Sequence, residues 1–357
     1  MERAPAARFP AYAWAWPKGG RDLLLRAAIL HDLHSAGLAF GAWLERHDLN
    51  DVTFAEQRLL VAISARLPAS AMPEAVRTRL KGVERMLWTH STLVLQAAGP
   101  ALQVLSAARI PVMVLKGAAR AVIDPRDVRG RFASDVDLLV PRRHFEAAYA
   151  SLRSADWQHN QKREPDLSRI TGINLYRGAH GDLDLHKFPL HQLAPGDEDQ
   201  SPLWNRATQG MFRGLPVSVP SPTDRLLMAI AHGGIDGHQH SDWLVDCAAL
   251  MSGGSVDWDL FERLCAERQL EAHAGLALSY LVEALGMEMP PDALARLRST
   301  GSRSTFELWS ALLQAHPKRE HTRLGALGRG VARGHHQISK AWTLARLERR
   351  NRGRAVR

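Results

Sequence analysis

The amino-acid sequence predicts an α+β fold in which a small mixed β-sheet is flanked by N- and C-terminal helical segments. Apolar residues recur at helical spacing over residues 21–98 and again from Thr223 onward, whereas short runs rich in β-branched residues begin near Ile110. A chain of 357 residues exceeds a typical single domain, so we expect two or three structural units. Four segments are predicted: a helical region (1–100), an α/β core (101–200), a second helical region (201–315) and a basic helical tail (316–357).

The first region is predicted to contain three or four helices. Leu59, Leu60 and Ile63 illustrate the helical spacing of its apolar residues. Thr53 and Glu56 have the spacing of a capping box, in which each side chain bonds the other residue's backbone N–H. A helix is therefore expected to begin directly after Thr53.

The middle of the sequence mixes predicted strands and helices. Its elements are a buried strand (110–115), a small helix opened by Gly117 (118–123), a second strand (135–140), a helix (142–155) and a β-hairpin (173–177 and 182–188) around a four-residue turn. A loop rich in Pro, Gly and Asp follows (189–200), and then helices return (223–233, 243–251 and 258–286).

Composition excludes several classes of protein. Hydrophobic residues make up 45% of the chain and charged residues 23%, which is typical of a globular protein and not of a disordered one. The two cysteines, Cys247 and Cys265, have no C-x-x-C partner, which argues against a disulfide framework or a thiolate zinc site. The N-terminal residues lack the apolar run of a secretory signal, and residues 87–108, which contain no Asp, Glu, Lys or Arg, are broken by Gly99-Pro100. We expect a cytoplasmic protein without a transmembrane segment.

The net charge of +9 is concentrated in the tail. Residues 316–357 contain 12 Lys or Arg against Glu320 and Glu348, a net charge of +10, while the rest of the chain has 34 basic and 35 acidic residues. Such a tail could contact nucleic acid, an anionic membrane or an acidic partner. Trp342 is its single aromatic residue, so base-stacking side chains are scarce, and a solvated, partly frayed helix is the simplest interpretation.

Two acidic residues interrupt the second predicted strand. Because side chains alternate faces along a strand, Asp135 and Asp137 point the same way, while Val136, Leu138 and Val140 point into the core. Two ionised carboxylates so close repel each other unless a cation lies between them. Mg²⁺ is the expected cation, with Mn²⁺ as its substitute, because carboxylates and substrate phosphates are its usual ligands.

The hairpin supplies a third acid. Asp184 is flanked by apolar strand residues on both sides, which makes it a better candidate than Asp182. A strand carrying Asp184 beside the strand of Asp135 and Asp137 would hold two metal ions, and two ions about 3.5–4 Å apart stabilise the attacking and leaving oxygens of an in-line phosphoryl displacement. The acids therefore predict the chemistry of nucleotide transfer.

These motifs resemble the nucleotidyltransferase superfold of DNA polymerase β. More narrowly, Val114-Leu115-Lys116-Gly117, then Arg131, then Ser134-Asp135-Val136-Asp137-Leu138-Leu139-Val140 and finally Leu183-Asp184-Leu185-His186 are similar to a family of uncharacterised bacterial nucleotidyltransferases. The resemblance is sharpest over residues 110–188 and extends weakly over residues 226–246. It departs from the wider superfold, which has Gly-Ser in the first turn where this chain has Lys-Gly.

The resemblance implies attack of an acceptor hydroxyl or phosphate on the α-phosphate of an NTP, with release of pyrophosphate. It implies that Asp135 and Asp137 ligate the nucleotide-bound metal and that Asp184 completes the second site and activates the acceptor. The implied acceptor is a small molecule, a sugar or a peptide. The candidate nucleotide-binding residues are Lys116, Gly117, Arg129, Arg131, Ser134 and His186.

These candidates have different expected roles. Gly117 lets backbone N–H groups approach a phosphate at a helix N-terminus, and Lys116 offsets triphosphate charge or is a surface lysine. The guanidinium groups of Arg129 and Arg131 match phosphate geometry. His186 lies on the face of Asp184, where it orients the acid, touches substrate or has a structural role.

Alternative functions remain open. The basic tail favours a nucleic-acid-associated enzyme, for example a toxin-like enzyme that modifies tRNA ends, and a non-catalytic nucleotide-binding module is the other alternative. A second polar cluster is more simply a polar loop between two helices than a metal site, since its spacing matches no zinc pattern; its members are His232, Asp236, His238, His240, Asp242 and Asp246. The sequence gives no indication of the oligomeric state.

Overall fold

A computed structural model of the chain describes residues 14–124, 129–235, 238–318 and 322–355. Two compact units are present. The helical unit comprises Met1–Glu84 and Leu226–Gln337, and the sheet unit comprises Arg85–Arg225 and Ile338–Arg357. The four-segment division of the sequence stays a prediction about domains.

The α+β class predicted from the sequence is confirmed. Fifteen α-helices lie within the described residues: α1 (Gly20–Ile29), α2 (Leu33–Leu44), α3 (Phe54–Arg66), α4 (Glu74–Ala97), α5 (Gly99–Ala107), α6 (Lys116–Ile123), α7 (Phe145–Ser154), α8 (Ser201–Arg206), α9 (Pro222–Gly233), α10 (Trp243–Ser252), α11 (Trp258–Glu267), α12 (Glu271–Glu283), α13 (Pro291–Gly301), α14 (Thr305–Ala315) and α15 (Arg323–Ala355). Four of them, α1 to α4, account for the three or four helices expected before residue 98. The capping box of Thr53 and Glu56 is present at the start of α3.

The sheet unit is built around one six-stranded mixed sheet. Its strands are β1 (Met113–Val114), β2 (Val136–Leu139), β3 (Gly172–Arg177), β4 (Gly181–His186), β5 (Thr208–Phe212) and β6 (Leu215–Val219). The spatial order is β3-β4-β2-β1-β6-β5. The pairs β2/β4 and β1/β6 are parallel, and the other neighbours are antiparallel. The predicted hairpin, formed by β3 and β4, therefore lies next to β2, the strand that contains Asp137.

One face of the sheet is covered by apolar side chains. Val136, Leu138 and Val140 are fully buried, as the alternation predicted, and they pack with side chains of α5 and α7 such as Leu102 and Phe145. Burial of each large aliphatic side chain contributes about 1.5–3 kcal/mol. This apolar face fixes the register of the sheet and leaves the acids of β2 and β4 on the other face.

The helical unit has a polar contact inside its helix packing. Arg58 of α3 donates from Nε to Asp242 Oδ2 at 2.8 Å, and both side chains are largely buried. A buried pair of this kind leaves an uncompensated charge when either partner is removed. The contact therefore ties α3 to the residue that precedes α10.

Several element boundaries differ from the prediction. β1 is shorter than residues 110–115 because Pro111 has no N–H and the N–H of Ile110 donates to the carbonyl of Leu105 at 2.9 Å. In the first hairpin Gly181 pairs with Arg177, so the turn has three residues instead of four.

The helix predicted over residues 258–286 is divided into α11 and α12. Gln269 has a left-handed backbone (φ 57°), and the N–H of Leu270 donates to the carbonyl of Cys265 at 2.9 Å. This is the hydrogen-bond pattern of a Schellman motif, which terminates a helix. No glycine marks the position, so the sequence did not indicate the break.

The hairpin of β5 and β6 was not predicted. Its two-residue turn, Arg213-Gly214, has positive φ at both positions (53° and 79°), as a type I′ turn requires. Val217 and Val219 alternate with polar or small residues before the turn to α9, which is the signal that could have indicated a strand. The first turn position is occupied by an arginine, where Asn or Asp is usual, so the sequence did not indicate the turn.

No helix in the described part of the chain has both the length and the hydropathy needed to cross a bilayer.

The pH dependence of stability in the helical unit is predicted to depend on His238. Burial, and then the positive charge of Arg21, lower its pKa from the ordinary 6.5 to about 3. The unfolded chain therefore takes up a proton below about pH 6.5 that the folded chain does not. The contribution of His238 to the free energy of unfolding is therefore complete above that pH. It decreases by up to about 1.4 kcal/mol per pH unit as the pH falls toward 3.

The test compares wild type with His238→Asn, which tolerates the positive φ of this position (51°). Urea unfolding at pH 7 and pH 5 should show a smaller loss of stability on acidification in the variant. An equal loss in both proteins would contradict the prediction.

Candidate functional site

The two central acids lie side by side in the sheet. β2 and β4 run parallel, and Asp137 is paired with Asp184 in register. Paired residues of neighbouring strands point to the same face, so both carboxylates lie on the face opposite the apolar core. Asp137 is buried and Asp184 is half-buried. The expectation that the hairpin strand lies beside the strand of Asp137 is confirmed.

His186 completes a compact group with these acids. It follows Asp184 by two residues and therefore shares its face. Its Nε2 lies 2.9 Å from Asp137 Oδ1 and 3.3 Å from Asp184 Oδ2. Each of the three residues offers a ligand atom within 4.8 Å of the others. The two carboxylates supply the oxygen ligands that Mg²⁺ or Mn²⁺ accepts, whereas an imidazole is a ligand only in its unprotonated form and is a less usual one for Mg²⁺.

The group differs in one member from the predicted set of three carboxylates. The observed group contains His186 in place of Asp135. Asp135 directly precedes the first residue of β2. Asp135 is close enough to the group for the charges of Asp137 and Asp184 to affect its pKa. Burial first, and then the carboxylate of Asp137, raise the pKa of Asp135 to about 6. Ser134 donates its hydroxyl to Asp135 Oδ1 at 3.2 Å.

Lys116 supplies a second cation to the same carboxylate. Its Nζ lies 2.5 Å from Asp137 Oδ1. Lys116 is the first residue of α6 and has a left-handed backbone (φ 47°), a conformation that costs roughly 1–3 kcal/mol in a residue other than glycine. In this structure the ammonium group is bonded to the acid, although the sequence indicated either a phosphate ligand or a surface lysine.

The charges of the group are mutually dependent. Burial alone would raise the pKa of Asp137, but Lys116 and His186 outweigh burial and hold it well below its usual range. Burial would lower the pKa of His186, but Asp137 and Asp184 outweigh it and raise the pKa to about 9. The buried carboxylates are therefore ionised and are matched by two protonated side chains.

Gly117, Arg129 and Arg131 are further candidates from the sequence. Gly117 is in the first turn of α6, where a Cβ would meet the Phe132 carbonyl at 3.9 Å, an ordinary contact, so space alone does not require glycine there. The Arg129 guanidinium lies over the Trp88 ring at 5.8 Å and does not join the acids. Arg131 donates to the Phe132 carbonyl at 3.4 Å.

The second polar cluster does not form a metal site among the described residues. Asp242 is paired with Arg58, and the Nδ1 of His238 lies 3.1 Å from the hydroxyl of Ser241. Asp236 lies outside the described residues. The interpretation as a polar loop between α9 and α10 agrees with these contacts.

A family model described as uncharacterised nucleotidyltransferase matches residues 52–286, which is more than half of the chain. The chain belongs to this family of uncharacterised nucleotidyltransferases. The match confirms the resemblance inferred from the sequence, without indicating a bacterial source. No curated protein and no solved structure matches the chain.

Within the uncharacterised nucleotidyltransferase family, the matched range contains the whole acidic group and all six strands of the sheet. It ends before α13, so the family model does not include α15. Family membership supports nucleotidyl transfer as the general reaction. It does not indicate the acceptor.

The ion pair of Lys116 and Asp137 predicts a strong energetic coupling. Lys116→Met leaves a buried carboxylate without its ammonium partner, and we expect it to lower the free energy of unfolding in the absence of metal by about 3 kcal/mol. Asp137→Asn should also destabilise. The double variant should be more stable than the sum of the single effects predicts, by roughly 1–3 kcal/mol.

Urea unfolding of the four proteins, with a chelator present, measures this coupling. Additive effects of the two substitutions would show that the ammonium and the carboxylate do not interact.

Proposed function

We propose that the protein transfers an NMP group from an NTP to an acceptor hydroxyl or phosphate and releases pyrophosphate. The observation that carries the proposal is the in-register pairing of Asp137 with Asp184, in a chain of the nucleotidyltransferase family. Parallel strands with facing carboxylates bring hard oxygen ligands to one point, and His186 lies beside them.

A divalent cation fits this donor set. Asp137 and Asp184 would hold it, His186 would add its nitrogen only after giving up its proton, and Asp135 would add a carboxylate from the edge of the group. Bound there, Mg²⁺ or Mn²⁺ would offset triphosphate charge and lower the pKa of the acceptor hydroxyl. The assignment of these residues as ligands is supported by their convergence and by the chemistry of their donor atoms.

The protein's own groups would orient the nucleotide. The backbone N–H groups at the first turn of α6, including that of Gly117, are suited to phosphate oxygens because helix N-termini carry partial positive charge. Lys116 would face the triphosphate from the same turn. Arg129, Arg131 and Ser134, in the segment between α6 and β2, are proposed to contact the phosphates from one side.

The acceptor is proposed to be a small molecule, a sugar or a peptide. A nucleic-acid acceptor is less well supported, because Leu344 and Leu347 of α15 are buried beside Phe188 and the second half of the basic tail is not a fully solvated arm. We place the reaction in the cytoplasm, since Cys247 and Cys265 are buried and unbonded, as in reduced proteins.

The proposal predicts that transfer depends on Asp137 and Asp184 and not on Asp182, which shares β4 with Asp184. Asp137→Asn and Asp184→Asn should each reduce transfer of the α-phosphate label of an NTP by more than ~100-fold, because loss of a direct ligand costs at least as much as loss of its supporting contacts. Asp182→Asn is the matched control, since Asp182 lies on the same face of β4 but is exposed. Its activity should stay within about threefold of wild type.

The assay uses α-labelled and γ-labelled NTPs with cell extract as the source of acceptor. Label should be transferred from the α position only, and it should require Mg²⁺ or Mn²⁺. Transfer of the γ-phosphate, or equal activity in the three variants, would contradict the proposal. Thermal stabilisation of wild type by an NTP with Mg²⁺, absent in Asp137→Asn, would be expected from the same model. Label transfer by the same wild-type protein would exclude a non-catalytic nucleotide-binding module.

A further inference from the structure

Helix α15 has a row of exposed apolar side chains on one side. Arg323–Ala355 is one continuous helix, so this row is defined by the helix itself. At about 100° per residue, five exposed apolar side chains fall within roughly 60° of the helix circumference; they are Leu324, Leu327, Val331, Ile338 and Trp342 and are called the exposed stripe. Leu324, Trp342 and Leu327 are exposed by 81%, 75% and 67%, the highest values among the large apolar side chains of the described residues.

The opposite side of α15 is buried in each unit. In the helical unit Arg329 is buried and donates from Nη1 to the Leu313 carbonyl at 3.1 Å. In the sheet unit Leu344 and Leu347 are buried with Phe188. The side that a surface helix packs on its own protein is therefore already in use, and the exposed stripe is a second apolar face. A partner can reach α15 from the exposed side.

The apolar surface extends from α15 onto α14. The ring of Phe306 lies 4.9 Å from the ring of His335, which is exposed. A Cβ at Gly328 would meet Trp309 Cζ2 at 2.9 Å, so the indole of Trp309 lies directly against α15. Phe306 and Trp309 are themselves exposed. Contiguous exposed apolar side chains of this kind mark a surface that binds a partner.

The charge of α15 restricts the kind of partner. The helix contains nine Lys or Arg residues and one acid, Glu348. Arg323, Arg346 and Arg349 are exposed and lie on the stripe or within roughly 70° of its centre. Pairing of two copies along the stripe would bring these positive charges together, which is unfavourable. An anionic partner is favoured instead of a second copy of the chain.

A flat anionic surface fits the exposed stripe better than a protein groove or a nucleic acid does. A groove encloses the flanks of the helix that it binds, and α15 has one side buried. Nucleic acid is bound by positive charge and by stacking of bases on aromatic rings, and the aliphatic Leu324, Leu327 and Val331 provide neither. The interfacial layer of a bilayer accepts aliphatic and Trp side chains and has phosphate groups beside it for arginines.

We propose that α15 docks the protein on an anionic lipid surface. The exposed stripe lies in the interfacial layer over a length of about 27 Å, at 1.5 Å per residue, and the adjacent arginines contact headgroup phosphates. Docking of this kind is peripheral and needs no spanning helix, and none is present in the described part of the chain. The docking helix lies outside the range of the family model. The inference does not rest on the proposed function.

The test is co-sedimentation of the full-length protein with vesicles of phosphatidylcholine containing about 30% phosphatidylserine, and with vesicles of phosphatidylcholine alone. Wild type should bind the anionic vesicles more tightly than the neutral ones, and high salt should weaken this binding. The double variant Ile338→Gln/Trp342→Gln should bind the anionic vesicles at least about tenfold more weakly, because two large apolar side chains no longer enter the interfacial layer. Both positions are exposed, so the fold should be retained, which urea unfolding checks.

The matched control is Leu38→Gln/Met211→Gln. These side chains are exposed by 62% and 60% and belong to α2 and β5. Their replacement should change vesicle binding by less than about twofold, since neither residue belongs to the stripe. Arg346→Gln/Arg349→Gln measures the electrostatic contribution and should weaken binding to anionic vesicles about fivefold for each arginine.

The proposal would be overturned by absence of vesicle binding in wild type or by equal binding to neutral and anionic vesicles. An equal loss of binding in Ile338→Gln/Trp342→Gln and in the control would also overturn it. Dimerisation of wild type without vesicle binding, absent in Ile338→Gln/Trp342→Gln, would show that a second copy covers the stripe. Salt-dependent RNA binding that this variant retains, without vesicle binding by wild type, would assign the basic tail to nucleic acid and likewise contradict lipid docking.

Discussion

The candidate site depends on one constraint, which is the in-register parallel pairing of β2 with β4. This pairing places Asp137 next to Asp184 on a face that is partly removed from water. Two ionised carboxylates at neighbouring positions of paired strands repel each other, and burial increases the free-energy cost of their ionisation. The pair is stable in this structure because Lys116 and His186 bring two positive charges to it. Lys116, whose ammonium bonds Asp137, is also one of the described residues with a positive φ.

The rest of the sheet unit supports this pairing from the apolar side. Val136 and Leu138 alternate with the acids and are fully buried against helices. A shift of one residue in β2 would expose these side chains and turn Asp137 into the core, so the hydrophobic face holds the acids in register. The same residues that stabilise the fold thus determine which face carries the polar group. In the proposed function, this face receives the triphosphate.

The strands and acids of the site could be predicted because their signals are local. Alternation of apolar and acidic residues marks β2, and Asp184 is distinguished from Asp182 by its apolar neighbours. The ion pair of Lys116 could not be predicted in the same way, because it depends on the antiparallel register of β1 and β2 and on a single positive φ. In the sequence Lys340 is one of the 12 basic residues of the tail, and the packing of Leu344 against Phe188 brings it near His191.

Anomalous diffraction from crystals grown with Mn²⁺ and a non-hydrolysable NTP tests the central claim most directly. We predict an anomalous peak within coordination distance, about 2.0–2.4 Å, of carboxylate oxygens of both Asp137 and Asp184, next to the α-phosphate. A peak bound to other residues, with Lys116 still on Asp137 and the nucleotide elsewhere, would contradict the account.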